Sequence, residues 1–192
     1  QYVTINIVYF VLDFGLPFFY CSIIILISII TNIYLQFKVK ENQLSNLSST
    51  SYLLYDLIIL AILLYLTGGI INPFAILLIV PAIVSSTFLT LKSTLNLSFI
   101  TIVVLILLTL YHFPLPHPGE FYFDVPSYYL YSITTAVIIG LIFLTYFGAR
   151  FGTESRKRTE ALNKLELILA KEHELESIGL QAAAAAHSLG TP

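Results

Sequence analysis

The sequence contains no methionine, a single cysteine and few charged residues, and each shortage excludes something. Without methionine, residue 1 is not an initiator. The chain opens inside the apolar run Val3–Leu12 and stops at Pro192 within a motif, so it is expected to be part of a longer reading frame. One cysteine, Cys21, excludes an internal disulfide and a cysteine metal cluster. Charged residues make up 10% of the 192 positions against 57% hydrophobic ones, and the mean hydropathy is +0.88. That balance excludes an ordinary soluble domain. A removable leader is excluded as well, because the first apolar run lacks a basic start and further spans follow at once.

What is present divides in two. Residues 1–150 hold nearly all the apolar weight and read as a membrane domain, whereas 151–192 read as a polar, charged cytoplasmic helix. Complete hydrophobic segments are expected at Pro17–Leu35, Tyr52–Thr67, Phe74–Leu91, Leu95–Phe113 and Tyr128–Gly148, with Val3–Leu12 as the tail of a sixth. The fold class expected is therefore all-α, a polytopic helix bundle followed by a cytoplasmic helix. Threading these segments alternately puts Lys38, Lys40, Lys92, Arg150, Arg156, Lys157, Arg158, Lys164 and Lys171 on one side, which is cytoplasmic by the positive-inside rule. The opposite loops carry Asp13, Glu120 and Asp124 and neither lysine nor arginine.

Two features stand out on opposite sides of the membrane. On the outer side, Gly68-Gly69-Ile70-Ile71-Asn72-Pro73-Phe74 joins two spans, the first of them short, so the glycine break is expected at or inside the membrane boundary. Asn72 is a favoured N-cap and Pro73 a favoured first helical residue, which starts the next helix sharply with free N–H groups. Glycines permit close approach of a ligand, Asn72 offers amide donors and Phe74 a ring face, a set that suits a flat, lipid-soluble carbonyl compound such as a quinone. Turn chemistry alone accounts for the same residues as a tight helical hairpin.

On the inner side, Arg150, Arg156, Lys157 and Arg158 suit an anionic leaflet. Ala161, Leu165, Ile168, Glu172, Leu175, Gly179, Ala182 and Ala186 then recur at spacings of four and three, the seam of a paired helix. His187 follows the run Ala182–Ala186 just off that seam and precedes Ser188-Leu189-Gly190-Thr191-Pro192. Imidazole is a competent nucleophile near neutral pH. On spacing alone, a lone surface histidine is usually just a solvated side chain.

Other residues receive structural readings. Cys21 is a small apolar packing residue. Asp56, in the first turn of its span, favours the helix N-terminus, with a cavity lining as the other reading. His112, His117, Glu120 and Asp124 lie too irregularly among prolines for a metal site. Phe121, Tyr122, Phe123, Tyr128, Tyr129 and Tyr131 form an interfacial aromatic belt. His173 is a solvated helix residue.

Taken together, Gly68-Gly69-x-x-Asn72-Pro73-Phe74 and Ala-Ala-Ala-Ala-His187-x-Leu189-Gly190-Thr191-Pro192 resemble the RegB/PrrB/ActS group of redox-responsive sensor histidine kinases. The resemblance extends to Phe113-Pro114-Leu115-Pro116-His117-Pro118 and the Glu/Leu-rich linker. It implies a homodimeric inner-membrane sensor of the ubiquinone pool, with Gly68, Gly69, Asn72, Pro73 and Phe74 at the quinone. It implies His187 as phosphoacceptor, Thr191 at the position used in regulator dephosphorylation, and a partner response regulator that receives the phosphoryl group on aspartate. Membrane lipid is a further implied partner; direct contact with nucleic acid is not implied. ATP and Mg belong to a kinase domain beyond Pro192, as does the family's redox-sensing cysteine, to which Cys21 is not equivalent. The chain departs from the pattern at Ser188, where the family has an acidic residue proposed as general base. A serine cannot take a proton at neutral pH, so the resemblance implies autophosphorylation slowed by up to the usual acid–base contribution of roughly 10²–10⁴.

Two other readings stay open. One is a non-catalytic quinone-binding membrane protein, a decayed kinase. The other is a small transporter, although no internal repeat is seen and Asp56 is the one charge in a complete span.

Overall fold

The computed structural model describes residues 2–11, 15–38, 45–117 and 125–190, and among them it contains helices and connecting turns but no strand. The helices are α1 (Tyr2–Phe10), α2 (Phe18–Lys38), α3 (Asn46–Leu66), α4 (Val80–Phe88), α5 (Leu91–Leu110) and α6 (Ser127–Gly190). A 3₁₀ turn at Gly69–Ile71 and a 3₁₀ helix at Pro73–Ile79 lie between α3 and α4. The all-α reading holds.

Four helices are long and apolar enough to cross a membrane: Phe18–Leu35, Asn46–Leu66, Leu91–Leu110 and the first part of α6. The segment Pro73–Phe88 is a shorter apolar helix, and its geometry has a local cause. Pro81 has no N–H to give, and its ring would collide with the Leu77 carbonyl of a continuous α-helix. The Leu77 carbonyl accepts from the Val80 N–H instead, so the chain winds as a 3₁₀ helix for seven residues before α4 begins. A 3₁₀ run of that length is uncommon.

Two helix starts depart from the hydropathy pattern. Helix α3 begins at Asn46, not at Tyr52, because the Ser45 hydroxyl caps it by accepting from the Ser48 N–H at 3.2 Å. Helix α5 likewise begins at Leu91, with Thr90 as its cap. As a result α3 has 21 residues, about 31 Å, and is not the short span expected from sequence. Asp56 is then the middle residue of α3 and does not lie in its first turn.

The chain divides into two compact units, Gln1–Arg150 and Phe151–Pro192. In the first, the main core joins Leu57 and Leu64 of α3, Ile70 of the outer turn, Ala75 and Leu78 of the 3₁₀ helix, and Leu105 and Leu108 of α5. Cys21 is fully buried beside Ile25 and Leu63, in the packing role expected of it. Hydroxyl pairs tie the helices together: Thr109 to Thr134 at 2.6 Å, Ser85 to Thr94 at 3.1 Å and Thr50 to Ser93 at 2.9 Å. Such pairs and close packing hold helices together where lipid supplies no hydrophobic contrast. Large apolar side chains such as Phe19, Ile30 and Phe99 remain exposed, as surfaces meeting hydrocarbon do.

Candidate functional site

The outer turn is built on two left-handed residues. Thr67 closes α3, and Gly68 and Gly69 follow at φ +108° and +56°, a region that glycine enters without a Cβ penalty. Both also lack room for a side chain. A Cβ on Gly68 would meet Leu115 Cδ1 at 2.6 Å, and one on Gly69 would meet His112 Cβ at 2.5 Å and the Leu108 carbonyl at 2.6 Å. The close neighbour of both glycines is therefore the end of α5 and the segment after it. That segment is pinned by a hydrogen bond from the Phe113 N–H to the Tyr65 carbonyl at 2.9 Å and by an edge-on contact of the two rings.

Asn72 caps the next helix as its residue type requires. Its Oδ1 accepts from the Phe74 N–H at 2.9 Å, with Pro73 in the first helical position. Its Nδ2 donates to the Thr67 carbonyl at 3.0 Å and to Thr67 Oγ1 at 2.8 Å. The Thr67 hydroxyl in turn donates to the Leu63 carbonyl at 2.8 Å. The N–H groups expected to be free at this helix start are engaged too, since Ala75 N–H donates to the Asn72 carbonyl at 2.9 Å. Tight 3₁₀ winding uses one more donor than an α-helix would.

Beside this cap lies a cavity of about 180 Å³. Its polar lining is Thr67 and Asn72; Phe74, Leu60, Leu64 and Leu77 make its walls, and Ile5 and Val8 of α1 close one side. Phe74 remains about half exposed. Asn72 and Phe74 are thus brought together on one space, whereas Gly68, Gly69 and Pro73 do not line it. Thr67 was not singled out from sequence, although a threonine directly before a Gly-Gly helix end is the signal that could have found it.

A second, larger cavity of about 770 Å³ lies between α2, α3 and α4, with Ser28, Asn32 and Asp56 as its polar lining. The carboxylate assigned to a helix start is therefore a cavity residue. His112 is half-buried, and its Nδ1 lies 2.9 Å from the Phe113 carbonyl. Among the described residues no three His, Cys, Asp or Glu side chains are placed to hold a metal; Glu120 and Asp124 lie outside them. Of the aromatic belt, Tyr128, Tyr129 and Tyr131 are exposed, while Phe121, Tyr122 and Phe123 lie outside the described residues.

In the second unit, α6 stays helical through His187 to Gly190. His187 is exposed on it. The side chain of Ser188, and Thr191 and Pro192 altogether, lie outside the described residues. The apolar seam residues Leu165, Ile168 and Leu175 are each more than half exposed in the single chain. Arg158 pairs with Glu154 at 3.5 Å one turn away, on a solvated side where such a pair adds little.

Comparison with known proteins agrees with this architecture. Residues 9–163 match the family of PilS-like transmembrane domains. The chain is 34% identical over 178 residues to the sensor histidine kinase RegB of Cereibacter sphaeroides, a match covering 92% of this chain and 38% of the relative. A second RegB sequence from that organism is 34% identical over 82 residues, 43% of this chain and 18% of the relative. The chain thus spans well under half the length of the relatives it matches. No solved structure matches it. The resemblance drawn from two motifs holds along the chain, and with its apolar helices the protein is a multi-pass inner-membrane protein.

Proposed function

The chain belongs to the family of PilS-like transmembrane domains, and on that premise we propose that it is the sensor part of a two-component histidine kinase responding to the redox state of the ubiquinone pool. The observation that carries the reading is the cavity of about 180 Å³ that Asn72 and Phe74 share at the outer turn. A quinone headgroup needs an apolar slot, a ring to lie against and a donor for its carbonyl oxygen. Leu60, Leu64 and Leu77 supply the slot, Phe74 the ring face and the Asn72 amide the donor.

That amide serves Thr67 in the structure, so a carbonyl guest would compete with the Thr67 carbonyl and hydroxyl for it. Such competition is a route from binding to conformational change, because Asn72 also holds the first turn of the 3₁₀ helix through the Phe74 N–H. Gly68 and Gly69 act here by letting the turn lie against the end of α5, and Pro73 by starting the helix sharply.

The output is autophosphorylation of His187, exposed on α6, by an ATP- and Mg-bearing domain of the full kinase. The phosphoryl group then passes to an aspartate of a response regulator. Two copies pair along the exposed Leu165, Ile168 and Leu175 face, and a shift or rotation of the paired 153–192 helices carries the signal.

The test uses the full-length kinase in nanodiscs. Asn72→Ala and Phe74→Ala each weaken binding of a ubiquinone analogue by about tenfold or more, the scale of one lost polar or aromatic contact. Unaltered binding in both variants removes the quinone site. With [γ-³²P]ATP, wild type is labelled and His187→Ala is not; label persisting in that variant removes His187 from its role.

A further inference from the structure

The larger cavity has no part in the reading above. It opens between α2, α3 and α4, and it shares only Leu60 and Leu77 with the cavity at the outer turn. Its volume of about 770 Å³ lies within the roughly 300–1,000 Å³ of sites that take drug-sized molecules. Most of its wall is aliphatic, from Ile25, Ile29, Ile59, Val80 and Val84.

Its polar groups are gathered, not scattered. Ser28 and Asn32 are four residues apart and so share one face of α2, and Asp56 lies opposite on α3. A hydroxyl pair braces the two helices beside them, with Tyr55 Oη 3.0 Å from Thr31 Oγ1. The Thr31 hydroxyl donates to the Ile27 carbonyl at 2.8 Å, which makes Tyr55 the donor in that pair.

Asp56 lies about 15 Å along α3 from Asn46, within a segment long and apolar enough to span the bilayer. A carboxylate at such a depth is costly and calls for a counter-charge. Among the described residues, neither of the ion pairs involves Asp56, and no cationic side chain lines the cavity. We propose that this groove is a binding site for the primary ammonium group of a lipid-soluble amine, with Asp56 as its counter-ion, Ser28 and Asn32 as acceptors for its remaining N–H groups, and the aliphatic wall holding its chain.

Two sources carry that chemistry, a free alkylamine and the headgroup of an aminophospholipid, and the test separates them. The full chain in nanodiscs is titrated with dodecylammonium and with dodecanol, which share a chain and differ in head. The expected result is a preference for the amine of about tenfold or more, the scale of a charge-assisted hydrogen bond. Asp56→Asn, close in shape, abolishes the preference. Native mass spectrometry of protein released from mixed discs then reports retained phosphatidylethanolamine over phosphatidylglycerol if the source is a lipid headgroup, and no such retention if it is a free amine. Val84→Phe, which fills the groove and leaves the carboxyl intact, lowers amine binding. Equal binding of amine and alcohol overturns the proposal, as does a preference that survives Asp56→Asn or Val84→Phe.

Discussion

Asn72 and Thr67 are joined twice, with the amide nitrogen donating to the threonine carbonyl at 3.0 Å and to its hydroxyl at 2.8 Å. The bonds tie the last turn of α3 to the cap of the following 3₁₀ helix across the left-handed Gly68 and Gly69. One side chain thus closes one helix and opens the next.

Replacing Asn72 by alanine removes the cap and both bonds to Thr67. The expected loss is about 1–2 kcal/mol, the usual worth of an N-cap. Asn72→Asp keeps the acceptor for the Phe74 N–H and loses the two donors, so its loss is smaller. Thermal unfolding in detergent orders the three proteins; alanine and aspartate variants of equal stability would show that the cap contributes nothing.

Gly69→Ala places a methyl against His112 Cβ and the Leu108 carbonyl at a φ of +56°. Backbone cannot move aside as a flexible side chain can, so a cost of about 1–3 kcal/mol is expected. His112→Ala does not rescue it, because the colliding Cβ remains. A melting temperature unchanged from wild type would show that the turn does not pack on the end of α5.

Two glycines of α6 should respond with opposite sign. Nothing lies within 4 Å of a Cβ at Gly140, so Gly140→Ala gains helix propensity, up to about 1 kcal/mol. At Gly148 the new methyl meets the Ser86 hydroxyl, which is held by the Ile83 carbonyl at 2.7 Å. Gly148→Ala is therefore destabilising, and Ser86→Ala in the same chain relieves it. Identical unfolding curves for the two single variants would refute the close approach of α4 and α6.

Thr109 and Thr134 face each other at 2.6 Å. Each hydroxyl has one proton, so one donates across to the other, which itself donates back to its own helix, Thr109 to the Leu105 carbonyl or Thr134 to the Leu130 carbonyl. A double-mutant cycle with valine at both positions should give a coupling of about 0.6 kcal/mol, typical of hydrogen bonds between membrane helices. Additive single effects would mean that the hydroxyls touch without supporting one another.

Apolar runs located the helices to within a few residues, and the largest errors fell where polar residues start them. Ser45 and Thr90 extend α3 and α5 toward the cytoplasmic side, past the point where hydropathy falls off. Both caps are local signals, visible in the chain. Pro81 is visible too, yet the 3₁₀ winding of seven residues before it needs the packing of Ala75, Leu78 and Ile79 to persist.

The candidate site is legible to a different depth at different residues. Asn72 capping the next helix and Phe74 beside it follow from residue type and order, and both line one cavity. For Gly68 and Gly69 residue type leaves both a close approach of a ligand and a tight helical hairpin open; Leu108, His112 and Leu115 are the neighbours that a Cβ on one or the other would meet. A helix start at Tyr52 puts Asp56 in the first turn; the Ser45 cap moves that start back to Asn46 and leaves the cavity-lining reading of Asp56.

From the chain alone come the all-helical class, the sidedness of its loops and the two motifs with their spacing, because periodicity, charge and capping depend on residues adjacent in sequence. Only the tertiary structure decided that Gly69 meets His112, that Thr67 holds Asn72 and that Asp56 opens onto a groove with Ser28 and Asn32. Those partners are distant along the chain and meet only when particular helix faces pack, and no local pattern records which faces those are.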